Sequence, residues 1–378
     1  MKKVIFILFL FLIFFVKSSY AIYDPLEKPN NKFGIHILYT SEISEASSLI
    51  NSSGGDWGYV TIPIQSSDRD LIKWQKFMDD CKAYHVIPII RIATSGDYFS
   101  KSSWSKPTDY DVLDFANFLD NLSWPTRNRY VVIFNEENRG DEWGGTPSAS
   151  EYAEILNYAI DIFKEKNKDF FVIMGGLDNA SANIFGSSIN NYSFMEQMDE
   201  QSPGIFSKLD GIASHSYPNP AFSSPPSYSR EGVYSFFYQK ELADSLANKS
   251  LPIFITETGW SSNFVSPAQQ VDYYGISFSK FWNDKNIVAI TPFLFHSDQG
   301  SFSQFSFIKN SNKEKIYYAY EGLSKIKGEP ELSFNPKDIN KPNPSIPIEN
   351  FPQNEKINNV FNSVNKSSRD FFKWLLKI

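Results

Sequence analysis

Eight short apolar runs, returning in series between residues 32 and 328, constrain this chain more than any other feature of it. They read KFGIHI (32–37), YVTIPI (59–64), VIPIIRI (86–92), YVVIFNE (130–136), FFVIMGG (170–176), LDGIASHS (209–216), PIFITE (252–257) and IVAITPFLF (287–295). Each is nearly continuous in apolar residues, the pattern of parallel strands buried on both faces. Segments with helical spacing lie between them. Residues 68–85 place Leu71, Trp74, Phe77, Met78 and Cys81 on one stripe. Residues 146–167 begin with capping residues and align Tyr152, Ile155, Leu156, Ala159 and Phe163. Residues 266–285 open on Ser-Pro, a favourable helix entry, and 313–326 close the series. Strands alternating with helices give βαβ units, and eight such units predict an α/β fold, a closed (β/α)8 TIM barrel. An open doubly wound sheet would carry a glycine-rich turn after its first strand, and here LYTSEIS follows with no glycine.

The flanks differ in composition. Lys2 and Lys3 precede an unbroken apolar run from Val4 to Val16, and Ser19-Tyr20-Ala21 offers a small-residue cleavage site. Residues 1–21 therefore read as an export signal, with an uncleaved anchor as the alternative. The run is short against the roughly 20 residues that span a membrane. The expected location is extracellular, periplasmic or at the cell surface. The barrel occupies 22–328. Residues 329–354 carry Pro330, Pro336, Pro342, Pro344, Pro347 and Pro352, which marks an extended tail. Residues 355–378 regain helical spacing and read as a short amphipathic helix docked on the barrel. Lys366, Arg369, Lys373 and Lys377 make contact with a membrane surface the alternative. A net charge of −7 leaves no basic footprint for nucleic acid. Cys81 is the sole cysteine, so the chain forms no internal disulfide.

Barrels of this type gather their chemistry at the C-terminal ends of the strands. Those ends here carry His36, Arg91, Asn135-Glu136, Asp178, His215 with Tyr217, Glu257 with Trp260, and Phe295-His296 with Asp298. Three of the four histidines fall at strand ends, and His85 reads as structural. By strand alternation Glu136 shares a face with Val132 and Phe134, and Glu257 with Ile253 and Ile255. If both faces point inward, two carboxylates meet across the mouth. A separation of about 5–5.5 Å suits retaining glycoside hydrolysis. Alternation also lets only one of Glu136 and Glu137 point inward. Arg91 is the cation expected to keep one carboxylate charged.

Asn-Glu at the end of the fourth strand and TETGW at the end of the seventh resemble the clan A glycoside hydrolases, retaining enzymes with carboxylates on those two strands. The resemblance covers residues 32–328. It implies that Glu136 is the acid/base, Glu257 the nucleophile, and Asn135 a ligand of the sugar 2-hydroxyl. It also implies that His215 and Tyr217, in SHSYP, form a pair whose tyrosine bonds the nucleophile, and that Arg91 positions the site. Two departures stand out. Glu137-Asn138 follow the acid/base where many members have proline or an aromatic residue, and Phe295-His296 stand where many place tryptophan. Glu137 turns away from the mouth in this reading.

Sugars expose apolar C–H faces, so aromatic rings near the mouth are candidate platforms. Trp260 and Trp143 are favoured, with Trp104, Trp57 and Phe295 behind them, and Trp74 and Trp282 belong to the core. His36 and His296 complete the candidate substrate-binding set. No cofactor or metal is expected. Two other readings stand beside this one: a non-catalytic carbohydrate-binding barrel, and a metal-dependent barrel hydrolase using His215, His296 and Asp298.

Overall fold

The computed structural model describes residues 22–96 and 103–333. The readings of an export signal over 1–21 and of a terminal helix over 355–378 lie outside the described residues, as does the tail beyond 333. The elements run β1 (Gly34–His36), α1 (Ile43–Ile50), β2 (Gly58–Gln65), α2 (Leu71–Ala83), β3 (Val86–Ala93), α3 (Asp109–Asp120), β4 (Arg129–Ile133), α4 (Ala149–Lys166) and β5 (Phe170–Met174). They continue with α5 (Asn191–Gln201), α6 (Ile205–Lys208), β6 (Gly211–His215), α7 (Ser235–Ala247), β7 (Ile253–Glu257), α8 (Pro267–Ile276) and β8 (Ile287–Ile290). A two-stranded hairpin, β9 (Ile308–Lys309) with β10 (Asn312–Lys313), and α9 (Lys315–Gly322) end the series. The strands form one parallel sheet in the order β1 to β8. A bridge from Phe33 to Ile290 and hydrogen bonds from His36 N–H to Pro292 O and from Phe295 N–H to His36 O close it into a barrel. This is the (β/α)8 fold. Among the described residues no helix is long and apolar enough to cross a membrane.

Local chemistry explains the helix starts. Ser148 caps α4 and Ser266 caps α8 with Pro267 in its first turn, as the sequence predicts. The stripe on α2 is buried from Trp74 to Cys81, but Leu71 is a correction, being 48% exposed at the first turn. The apolar strand residues divide by face. Val131, Ile133, Ile253 and Ile255 pack outward against the helices, while Tyr59, Ile89, Tyr130, Val132, Phe171 and Phe254 fill the interior. Ile22 and Leu26 close the interior at the N-terminal end of the strands.

The two carboxylate-bearing strands break the alternation that the sequence reading relied on. β4 ends at Ile133, and Phe134 and Glu136 both take left-handed backbone, at φ 66° and 45°. On β7, Ile253 and Ile255 face outward, so strict alternation would turn Glu257 outward with them. A register shift intervenes: Ser214 pairs with Ile255, and His215 pairs with Glu257. The extra residue, Thr256, re-aims Glu257 into the mouth.

Candidate active site

The loop after β4 is built to hold one side chain in place. Glu136 N–H donates to Gly176 O (3.0 Å) and Arg139 N–H to Glu136 O (2.8 Å). The Asn138 amide donates to Asp178 O (3.0 Å) and Ile189 O (2.9 Å) and accepts from the Asp178 N–H (3.0 Å). Asn138 thus ties the loops after β4 and β5 together. The Gly175-Gly176 pair that follows β5 leaves room on both sides. A Cβ on Gly175 would lie 2.1 Å from Glu137 Oε1, and one on Gly176 would lie 2.3 Å from His215 Cδ2.

Glu136 and Glu257 meet across the mouth with His215 between them. Donor atoms of the three lie within 4.8 Å of one another. His215 Nδ1 is 2.9 Å from Glu136 Oε1 and 3.8 Å from Glu257 Oε2. The Tyr217 hydroxyl donates to Glu257 Oε2 (3.0 Å), and His36 Nε2 stands 3.7 Å from Glu257 Oε1. Both glutamates keep a small exposure, 9% and 8%, so each reaches solvent at the floor of the mouth. Glu137 is wholly buried behind them, packed against Gly175 and beside the Tyr152 hydroxyl of α4. Both glutamates of the pair 136–137 are therefore held in the protein, on opposite sides of the loop.

Electrostatics separate these acids. Burial drives the Glu136 carboxyl up, but Arg139, His215 and Arg91 outweigh it and hold it down at about 2. Burial, then the charges of Glu142 and Glu136, push Glu137 well above the usual carboxylate range. Burial and the Glu136 charge push Glu142 up to about 8. Burial lowers His215, yet Glu257 and Glu136 prevail and raise it. His36 is pulled well down by burial and then by Arg91 and His215. Burial and Glu257 push Tyr217 well up, which keeps its hydroxyl protonated as a donor. The cation that dominates Glu136 is Arg139, with Nη1 2.9 Å from Oε2, and Arg91 comes behind it; this corrects the expected pairing.

Several sequence candidates lie elsewhere. Trp143 and Trp260 are buried in the outer core, with their indole N–H groups on Glu151 and Ser224 O, so neither is a platform. Phe295 is 1% exposed and also faces the outer core. Trp57 stacks on His85 near the opposite end of the barrel. Trp104 lines a small cavity with Arg91 and Asn135. Another aromatic ring, Phe293, lies 5.0 Å from the His36 ring and belongs to a cluster with Tyr217, Leu294 and Phe305. His296 pairs with Asp298 (3.0 Å) and stands 3.8 Å from Glu42. His215 pairs with Glu136 instead, so His215, His296 and Asp298 are not brought together. Arg139, Glu142 and Phe293 escaped the sequence reading. An arginine three residues after a glutamate at a strand end was the available signal for the first.

A closed (β/α)8 barrel with two glutamates converging at the C-terminal ends of β4 and β7 is the class that fold and site define. Among solved structures the chain is similar to a family 39 glycoside hydrolase from the gut symbiont Bacteroides cellulosilyticus WH2. The TM-score is 0.54 at 16% identity, over 80% of this chain and 64% of that one, so it spans less than two thirds of that protein. It is also similar to a family 39 β-xylosidase from Caulobacter crescentus, with a TM-score of 0.52 at 13% identity over 78% of this chain and 72% of that one. A family 128 (subgroup II) endo-β-1,3-glucanase from Sorangium cellulosum gives a TM-score of 0.52 at 14% identity, over 77% of this chain and 97% of that one. At these identities the likeness is one of fold. No protein-family model matches the sequence, and no curated protein matches it.

Proposed function

We propose that this chain is an exported glycoside hydrolase that cleaves β-linked sugars with retention of configuration. The observation that carries the reading is the Glu136–Glu257 pair, whose carboxylate oxygens come within 4.8 Å with His215 between them. Retaining enzymes hold their two carboxyl groups about 5–5.5 Å apart. Export rests on the charged head and apolar run of residues 1–21. The activities described for the three structures above support the substrate class, not the sugar.

Glu257 is the nucleophile. Its carboxylate attacks the anomeric carbon while the bond to the leaving oxygen breaks and Glu136 hands that oxygen a proton. Glu136, now a carboxylate, takes a proton from water as that water attacks the anomeric carbon and frees Glu257. The Tyr217 hydroxyl fixes the Glu257 carboxylate by a 3.0 Å hydrogen bond. Asn135 and Arg91 line a small cavity with Trp104, and the buried His36 stands beside Glu257 with the Phe293 ring against it. Two guanidinium groups, Arg91 and Arg139, act on Glu136, which disfavours a metal cation at the same atoms.

The test is a screen of the purified protein against aryl β-glycosides and against β-glucan, mannan and xylan polymers. Glu257→Gln is expected to abolish hydrolysis while the thermal transition stays cooperative. Wild-type-like turnover by Glu257→Gln would sink the mechanism, and product NMR showing inversion would rule out the two-step route. A chelator is expected to leave turnover unchanged, and loss of activity would move the reading to a metal site. A carbohydrate-binding barrel would bind these polymers without cleaving any of them.

A further inference from the structure

Beside Glu136 the loops after β4 and β5 stand against each other, joined by hydrogen bonds from Gly140 N–H to Ser187 O (2.7 Å) and from Ile189 N–H to Asn138 O (2.9 Å). Between them lies an open groove of about 410 Å3, lined by Arg139, Asp141, Ser181, Ser187, Ser188 and three glycines. Arg139 belongs to both places. Its Nη1 is 2.9 Å from Glu136 Oε2, while Nε and Nη2 bond the Asp141 carboxylate at 3.0 and 2.6 Å. Next to the lining residue Gly186, Phe185 is fully exposed and Ile184 is 57% exposed. The turn that carries them is pinned by bonds from Ile184 N–H to Ser188 O (2.8 Å) and from Ser188 N–H to Ile184 O (3.0 Å).

An acid/base gives its proton to the leaving oxygen, so the departing part of the substrate lies on the Glu136 side. The groove opens on that side, and its hydroxyl, carboxylate and guanidinium groups match sugar hydroxyls. We propose that this groove binds the leaving-group end of a β-linked glycan, with Phe185 as an outer platform and Arg139 as the positioning residue that passes groove occupancy on to Glu136. The proposal rests on the glycosidase reading of the site. A pinned turn loses little entropy when a sugar face stacks on its exposed ring.

The role of Arg139 follows from a conflict in the free chain. Glu136 is held there as a carboxylate, which cannot donate. Glu136 is also faced by Arg91 from β3, Asp178 after β5, His215 from β6, Glu257 from β7, and Glu142 and Glu137 of its own loop. Of these and Arg139, Arg139 alone lines the groove. A sugar hydroxyl that engages the guanidinium, already half-held by Asp141, draws it off Glu136. Glu136 then takes up a hydronium proton from the solvent at the mouth, releasing water, and is ready to donate. The acid is armed only when a leaving group is in place.

The experiment compares aryl β-glycosides with laminari-, cello-, xylo- and mannotetraose on the full chain and on Ser187→Trp, Phe185→Ala and Arg139→Gln, with thermal unfolding of each variant as the control for folding. The ratio of kcat/KM for the cleaved tetraose over the aryl glycoside is expected to fall about tenfold in Ser187→Trp and about fivefold in Phe185→Ala. In Arg139→Gln the alkaline limb of kcat/KM, where Glu136 loses its proton, is expected to move to higher pH. An unchanged ratio overturns the groove, and an unmoved limb overturns the role of Arg139. If the wild type cleaves none of these substrates, the glycosidase reading fails on its own. Calorimetric titration with the tetraoses then decides the groove: weaker binding by Ser187→Trp than by wild type supports it, and equal or absent binding overturns it.

Discussion

Glu136 and Glu257 carry the same functional group on two sides of one mouth, and their neighbours set them apart. Glu136 faces Arg139 and the His215 ring, while Glu257 accepts the Tyr217 hydroxyl. A third acid near the mouth, Glu42, shows the same logic acting on stability. It accepts the Leu38 and Tyr39 N–H groups at 2.9 Å each, yet burial outweighs them and raises its carboxyl from 4.5 to about 7. Between those values the folded chain holds a proton that the unfolded chain has lost. Its contribution is therefore complete below about 4.5 and disappears as pH rises through about 7. Glu42→Gln keeps an acceptor for both N–H groups and has no such titration. Urea unfolding from pH 4.5 to 7.5 is expected to show the variant gaining on the wild type as pH rises, and parallel curves would refute the shift. At this scale the sequence was informative about residue type and silent about partners. Asn-Glu and TETGW pointed to the pair, and SHSYP to its histidine and tyrosine. Arg139 was not legible as a partner because its contact with Glu136 depends on a loop turned by left-handed backbone.

At the level of elements, the eight strands and the four helices read from periodicity were legible because burial on two faces leaves a plain apolar signature. The direction of each mouth glutamate was not. The alternation argument placed Ile253 and Ile255 inside with Glu257, whereas they pack outward, and only the register shift at Thr256 turns Glu257 in. Bulges and positive φ are set by tertiary pairing, and side-chain type carries little trace of them. The Gly175-Gly176 step is the complementary device, since it makes space where a strand end meets two buried side chains. Gly175→Ala would press a methyl group to 2.1 Å from Glu137 Oε1, in a place where Glu137 has no exposed volume to retreat into. A loss of about 1–3 kcal/mol is expected by urea denaturation. In the double variant with Glu137→Ala the cost of Gly175→Ala should shrink by more than about 0.5 kcal/mol, and additivity would refute the contact.

For the whole molecule, closure is the decisive event, because β1 and β8 must find each other across the full length of the sheet. Tyr320 of α9 reaches that seam. Its hydroxyl donates to Gly34 O (2.6 Å) and accepts the Gly34 N–H (3.2 Å), so the last helix is tied to the first strand. Tyr320→Phe removes the hydroxyl that holds the Gly34 carbonyl in a buried place, and a loss of about 1–3 kcal/mol in unfolding free energy is expected. A change within error would mean that the seam is held by the sheet alone. The two ends of the barrel also differ in what they carry. Tyr23, Pro25 and Pro29 at the start of the described chain and Gly328 to Glu331 near its end surround one cavity with Tyr59, Ile87 and Tyr130, at the N-terminal ends of the strands. Glu329 N–H donates to Pro29 O at 2.8 Å, so the two ends leave side by side. The carboxylates sit at the other pole. The described residues thus start and finish at the back of the barrel, and neither of these two segments crosses the approach to the mouth.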